Sequence, residues 1–169
     1  MDDLTVSLAG ANRIDDVEPV YRALYDHHVA VSTWRPAPER GADVAWQRRR
    51  KRYEETLSSD DGILLIAERD GDILGALVGE VEDPADGSDT FAVPTSTAHV
   101  HDLAVLPEAQ GAGIGRTLME RFERELRERG VRSYGLDVMA GNDVARGFYA
   151  AFGLEAAQVT MYKVLPSAD

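Results

Sequence analysis

Residues 99–119 read HVHDLAVLPEAQGAGIGRTLM, and the architecture follows from how that stretch is parsed. His99 and His101 alternate with apolar residues in a run that reaches Val105, the period of a strand. Pro107 ends the run, and Gly111, Gly113 and Gly115 then lead into a helical pattern that starts near Ile114. Glycine accepts positive φ and lets backbone approach a ligand with no Cβ in the way. The first amides of a helix have no intrahelical acceptor, and the helix dipole favours negative charge beside them. The stretch therefore reads as an anion cradle suited to phosphate. The plainer alternative is a glycine turn that only caps a helix.

On the N-terminal side, LTVSLAG (4–10) alternates like a strand. Asn12 is a suitable N-cap for a helix that carries Ile14, Val17, Val20, Tyr21, Leu24, Tyr25 and His28 at helical spacing. TWRPAPERG (33–41) is a proline-rich loop, and a second helix is expected over 42–58. GILLIAERDGDILGALVGEVE (62–82) gives two strands joined through Asp70-Gly71, a hairpin signal. Residues 83–97 form a polar loop, either a lid or plain surface. The histidine strand is expected over 98–106.

On the C-terminal side, Ile114, Leu118, Met119, Phe122 and Leu126 make the apolar stripe of a helix. Its outer face is a Glu/Arg ladder, and Gly130 stops it. A strand over 132–140, a helix over 142–152 and a last strand over 156–165 complete the order. Hairpins mixed with strand–helix units argue for a mixed α/β sheet with helices on its faces.

The 169 residues suit one domain, 1–169. Thirty acidic against eighteen basic residues leave a net charge of −12, which repels nucleic acid and anionic membranes. The basic run Arg48–Arg52 shares a helical pattern with apolar Trp46, Tyr53 and Leu57, and reads as a solvated helix face. No apolar run is long enough to span a bilayer, and MDDLTVSLAGAN lacks the order of a secretory signal, so a cytoplasmic location is expected. Without cysteine there is neither a disulfide framework nor a thiolate nucleophile. No metal-ligand set is evident, with His27 and His28 far in sequence from the strand histidines.

Spacing separates the candidate phosphate motifs. A dinucleotide fingerprint needs G-x-G-x-x-G after the first strand, but Arg116 follows Gly115 here and the strand is not the first. A P-loop needs Gly-Lys-Ser/Thr, which is absent. Gln110-x-x-Gly113-x-Gly115 behind Leu103-Ala104-Val105 resembles the acetyl-CoA pyrophosphate motif of the GCN5-related N-acetyltransferase (GNAT) family. Residues 142–154, NDVARGFYAAFGL, are similar to that family's downstream segment N-x-x-A-x-x-F-Y-x-x-x-G-F, with Phe152 and Leu154 off pattern. The likeness is clearest over 98–165.

The resemblance implies a GNAT fold: a mixed, mostly antiparallel sheet with helices on both faces and a splayed parallel strand pair. It implies that acetyl-CoA, as co-substrate, lays its pantetheine arm along Leu103, Ala104 and Val105. Its diphosphate would meet the amides of Gly111, Ala112, Gly113, Ile114, Gly115 and Arg116. The Arg116 and Arg146 side chains either face the phosphates or are plain surface. Asn142 is a helix cap, and the resemblance adds a cofactor contact.

Acetylating an amine requires a base, because an alkylammonium titrates near pH ~10. His99 and His101 lie two apart on a strand and share one face, which places Asp102 on the other. Imidazole titrates at about 6.5, close to working pH. The stretch 98–105 resembles the arylalkylamine N-acetyltransferase branch, in which paired histidines relay the amine's proton. That likeness makes His101 the leading base, with His99 behind it; the alternative is two half-exposed strand histidines. Tyr149 matches the family's general acid, and its phenol is a neutral donor; the alternative is an aromatic that packs with Phe148 and Phe152 in a helix.

The function expected is direct acetyl transfer from acetyl-CoA to a primary amine, most simply a small molecule. A protein N-terminus, a lysine side chain or an aminoglycoside is left open as acceptor, as is a homodimer. The rivals are an acetyl-CoA-binding sensor without catalysis and another nucleotide-binding α/β protein.

Overall fold

In the computed structural model, which describes residues 4–82 and 96–165, five strands form one sheet in the order β1-β2-β3-β4-β5. The strands are β1 (Thr5–Ala9), β2 (Gly62–Arg69), β3 (Asp72–Glu82), β4 (Thr97–Val105) and β5 (Tyr134–Leu136). Between and after them run α1 (Glu18–Val31), α2 (Ala42–Thr56), α3 (Ile114–Glu128) and α4 (Asp143–Phe152). β1 to β4 pair antiparallel, and only β4 and β5 run parallel.

Local chemistry explains most of the boundaries. The β2–β3 turn has Asp70 at φ 55° and Gly71 at φ 90°, the two positive values that a tight two-residue hairpin requires. α3 ends where Gly130 takes φ 77°, and Val131 N–H then donates to the Leu126 carbonyl at 2.9 Å. The expected ladder on α3 is present, with Arg121 on Glu125 and Arg127 on Glu123, although Glu125 itself is buried.

Both faces of the sheet are covered. Ile63, Leu65, Leu77, Ala98 and Val100 pack on Leu118, Met119 and Phe122 of α3. Leu64, Ile66, Ala76 and Val78 pack instead with Val17, Tyr21, Trp46 and Tyr53 on the side of α1 and α2. Successive residues of β2 thus enter opposite cores, which is why GILLIAER carries no polar alternation. The mixed sheet with helices on both faces is the architecture expected of the GNAT fold.

Three boundary expectations need correction. α1 begins at Glu18 with Pro19 in its first turn, while Asn12 sits in a separate 3-10 turn whose start has no side-chain cap. The strand expected over 132–140 is only Tyr134–Leu136. The last strand expected over 156–165 is absent, and Val159, Met161, Tyr162, Val164 and Leu165 are exposed. Alternation confers strand propensity, but a ladder needs a paired neighbour, and β5 is three residues long. Most of the proposed lid, residues 83–95, lies outside the described residues.

Candidate active site

The parallel pair parts soon after it forms. Ala98, His99 and Val100 pair with Tyr134, Gly135 and Leu136, and there the β4–β5 ladder stops. From Asp102 to Val105, β4 keeps its β3 partner but has none on the β5 side. A strand edge left open in this way offers main-chain donors and acceptors to a ligand with peptide-like bonds. The Leu103 and Val105 side chains pack toward α3, and Ala104 packs toward α1. The Val105 carbonyl is occupied by Gln110 Nε2 at 3.2 Å, which ties the following loop back to the strand end.

That loop delivers the chain to α3 with its amides free. Gly111 and Gly113 hold φ 79° and 80°, and a Cβ at either would meet nothing within 4 Å. The first helical bond runs from Thr117 N–H to the Gly113 carbonyl, and no side chain caps the end. Among the described residues, the N–H groups of Gly111, Ala112, Gly113, Ile114, Gly115 and Arg116 find no acceptor. Six unpaired donors at a positive dipole end fit a diphosphate. The Arg116 guanidinium is exposed, 5.6 Å from the centre of the Phe152 ring on α4. Arg146 pairs with Asp143 at 3.0 Å.

β4 carries a feature that alternation does not reveal. Gly79 pairs with Val100 and Val78 with Asp102, so His101 is an extra residue bulged out of the ladder. The bulge resets the facing of everything beyond it. His99 and His101 do share a face, with ring centroids 5.2 Å apart. Asp102, expected on the opposite face, joins them on the α1–α2 side, where its cross-strand partner Val78 also packs.

Around this bulge stands a polar cluster. His101 Nε2 lies 2.8 Å from Glu80 Oε1 on β3. His99 Nε2 lies 3.7 Å from the exposed Asp137 carboxylate. Asp102 is 7% exposed; Tyr53 Oη donates to it at 2.6 Å, and Arg49 Nη1 sits 3.2 Å away. Burial pushes the Asp102 carboxyl above the usual range, against the opposing pull of Arg49 and Tyr53. Burial likewise lowers the pKa of His28 on α1, while the Asp102 charge opposes that shift.

Arg49 corrects the reading of the basic run as a solvated face. Its side chain is 24% exposed and its guanidinium lies over the Tyr21 ring at 5.7 Å. The rest of the run behaves as expected, with Arg50 on Asp15 and Lys51 on Glu55. Arg49→Met leaves a buried carboxylate without its cation. It should lower the unfolding free energy by about 3 kcal/mol in urea titration. A change within about 0.5 kcal/mol would mark the pair as dispensable.

α4 packs beside the start of α3, with Phe148 3.7 Å from where a Cβ on Gly115 would stand. Asn142 is buried and caps α4, its Oδ1 accepting from Ala145 N–H at 3.1 Å. Tyr149 packs edge-on against Phe148, and its hydroxyl has no hydrogen-bond partner among the described residues. Burial first, and the Asp102 charge second, push its phenol up to about 12. Glu80, Asp102, Arg49, Tyr53 and His28 were not assigned to the site from sequence. The β3–β4 register brings Glu80 beside His101, and the bulge brings Asp102 to the same side; neither is visible in the sequence. Among the described residues, no group of three or more His, Asp or Glu side chains is placed to hold a metal ion. No described helix is long and apolar enough to cross a membrane.

An opened parallel strand pair beside a free helix N-terminus offers hydrogen-bonding backbone to a ligand that carries both amide bonds and an anionic group. The model of the acetyltransferase (GNAT) family matches residues 22–154. The chain belongs to that family. It is 32% identical over 131 residues to a mycothiol acetyltransferase of Cellulomonas flavigena, a match that covers 77% of this chain. The chain spans only 37% of the length of that relative. A GCN5-related N-acetyltransferase from Ralstonia eutropha JMP134 superposes with a TM-score of 0.74 at 16% identity, over 96% of this chain and 99% of that one. The aminoglycoside N-acetyltransferase AAC(6')-Iy in complex with CoA gives 0.70 at 16% identity, over 99% and 97%. At such identities the superpositions speak for the fold alone.

Proposed function

We propose that the protein is an acetyl-CoA-dependent N-acetyltransferase that passes acetyl directly to a primary amine of a small molecule. The observation that carries this reading is the open β4–β5 gap ending at six unpaired amides. Acetyl-CoA supplies an activated thioester. The amides of Gly111, Ala112, Gly113, Ile114, Gly115 and Arg116 hold its diphosphate. The backbone of Leu103, Ala104 and Val105 lines the path of its pantetheine arm, and Asn142 fixes the start of α4 beside it.

The polar cluster on the α1–α2 side supplies the proton chemistry. His101 takes the proton of the incoming ammonium, with His99 behind it as a relay. Tyr149 donates a proton to the departing sulfur. A phenol raised to about 12 stays protonated throughout the working range, so it is a donor and not a base. With no cysteine in the chain, the acetyl group has no thiolate to rest on and moves in one ternary complex. A small amine is favoured by the likeness of the stretch 98–105 to arylalkylamine N-acetyltransferases, by the acidic net charge and by the name of the mycothiol acetyltransferase that the chain resembles.

Tyr149→Phe should lower kcat by about a hundredfold and leave the acetyl-CoA Kd unchanged. Full turnover in that variant removes Tyr149 as the acid. The reading as a whole is tested by coenzyme A thiol release against a panel of arylalkylamines, polyamines, amino sugars and peptides. Release with a small amine supports it. Thermal stabilisation by acetyl-CoA with no release from any amine would instead mark a sensor.

A further inference from the structure

Glu80 has no part in the chemistry described so far, yet it makes the shortest polar contact to the residue assigned as base. Glu80 lies opposite His99 in the β3–β4 register, and both side chains face the α1–α2 side. His101 keeps the face of His99, and its Nε2 comes to 2.8 Å from Glu80 Oε1. A carboxylate only accepts hydrogen bonds, so Nε2 must be the nitrogen that carries hydrogen. A neutral imidazole with hydrogen on Nε2 has its lone pair on Nδ1. We infer that Glu80 is a positioning residue: it fixes His101 in the form whose Nδ1 is free to take the amine's proton.

This inference rests on His101 being the base, and it adds the atom and the residue that orients it. The proton passes from the substrate ammonium to Nδ1, freeing the nitrogen lone pair for attack. The imidazolium that results is paired through Nε2–H to the Glu80 carboxylate, and Nδ1 then releases its proton to water. Glu80 from β3 and His99 from β4 stand beside His101, and its chain neighbour Asp102 faces Arg49 and Tyr53 from α2, His28 from α1 and, further off, Tyr149 from α4. Tyr53 and Arg49 already engage Asp102, whereas Glu80 has His101 as its side-chain partner among the described residues. Both side chains are about three-tenths exposed, so the dyad reaches the acceptor side and is not sealed in the core.

The test compares Glu80→Gln, Glu80→Asp, His101→Ala and the double variant Glu80→Gln/His101→Ala, using the fastest acceptor of the amine panel. We expect Glu80→Gln to lower kcat about tenfold or more with KM little changed, and Glu80→Asp to recover part of the loss. On the His101→Ala background, Glu80→Gln should have no further effect. A Glu80→Gln enzyme with full kcat, equal losses in both backgrounds, or an effect on KM alone overturns the inference; the last two would mean that Glu80 meets the amine itself. Full activity in His101→Ala is a different failure, since it removes the base and Glu80's role with it. A second measurement needs no acceptor: two-bond 1H–15N spectra of histidine-labelled protein at pH 8.5 should show hydrogen on His101 Nε2. Hydrogen on Nδ1 contradicts the inference.

Discussion

Gly113→Asp should raise the Kd for acetyl-CoA about a thousandfold, because a carboxylate set against the diphosphate costs several kcal/mol. Gly113 is the N-cap of α3, with φ 80° and open space where a side chain would project. The new carboxylate therefore has room, and it sits where the helix end would otherwise hold phosphate. Backbone strain at positive φ is a separate cost, and Gly113→Asn isolates it. Asparagine has the same shape, carries no charge and tolerates the left-handed region. Gly113→Asn should lose less than about tenfold in affinity, read by calorimetric titration with acetyl-CoA. Equal losses in the two variants would assign the effect to strain and leave the cradle without support.

His101→Ala should lower kcat/KM by about a hundredfold to a thousandfold at pH 7, within the range that general-base catalysis supplies. The loss should shrink as pH rises. An alkylammonium titrates near pH ~10, so in alkaline buffer the amine sheds its own proton and the base is no longer needed. Recovery to within about tenfold of the parent near pH 10 is the expected outcome. Tyr149 does not obscure that limb, because its phenol is pushed up to about 12 and remains a donor. A deficit of the same size at every pH would make His101 structural.

Much of this architecture was legible because the local signals were strong. Asp70-Gly71 specified a two-residue turn, and the turn has both φ values positive. The stripe Ile114, Leu118, Met119, Phe122, Leu126 became the buried face of α3, and Gly130 ended it. The glycine loop was legible for a chemical reason, since its residues leave amides free whatever packs around them.

What failed depended on pairing between distant strands. Period-two alternation places Asp102 away from His101, and one inserted residue in β4 cancels that inference. Nothing in AHVHDLAV marks the insertion, because the bulge exists only relative to β3. Arg49 was hidden for a similar reason: within five consecutive basic residues, only the buried carboxylate on another element singles it out. The strand expected over 156–165 had the alternation but no partner ladder. Its Tyr162 instead stacks on Trp34, with centroids 5.5 Å apart.

The most direct measurement is a crystal structure of the protein grown with acetyl-CoA. Diphosphate oxygens should lie within hydrogen-bonding distance of the amides of residues 111–116, and the pantetheine arm should run between β4 and β5 beyond Val100. A diphosphate bound elsewhere, or β5 zipped onto β4 as far as Val105, would contradict the proposal.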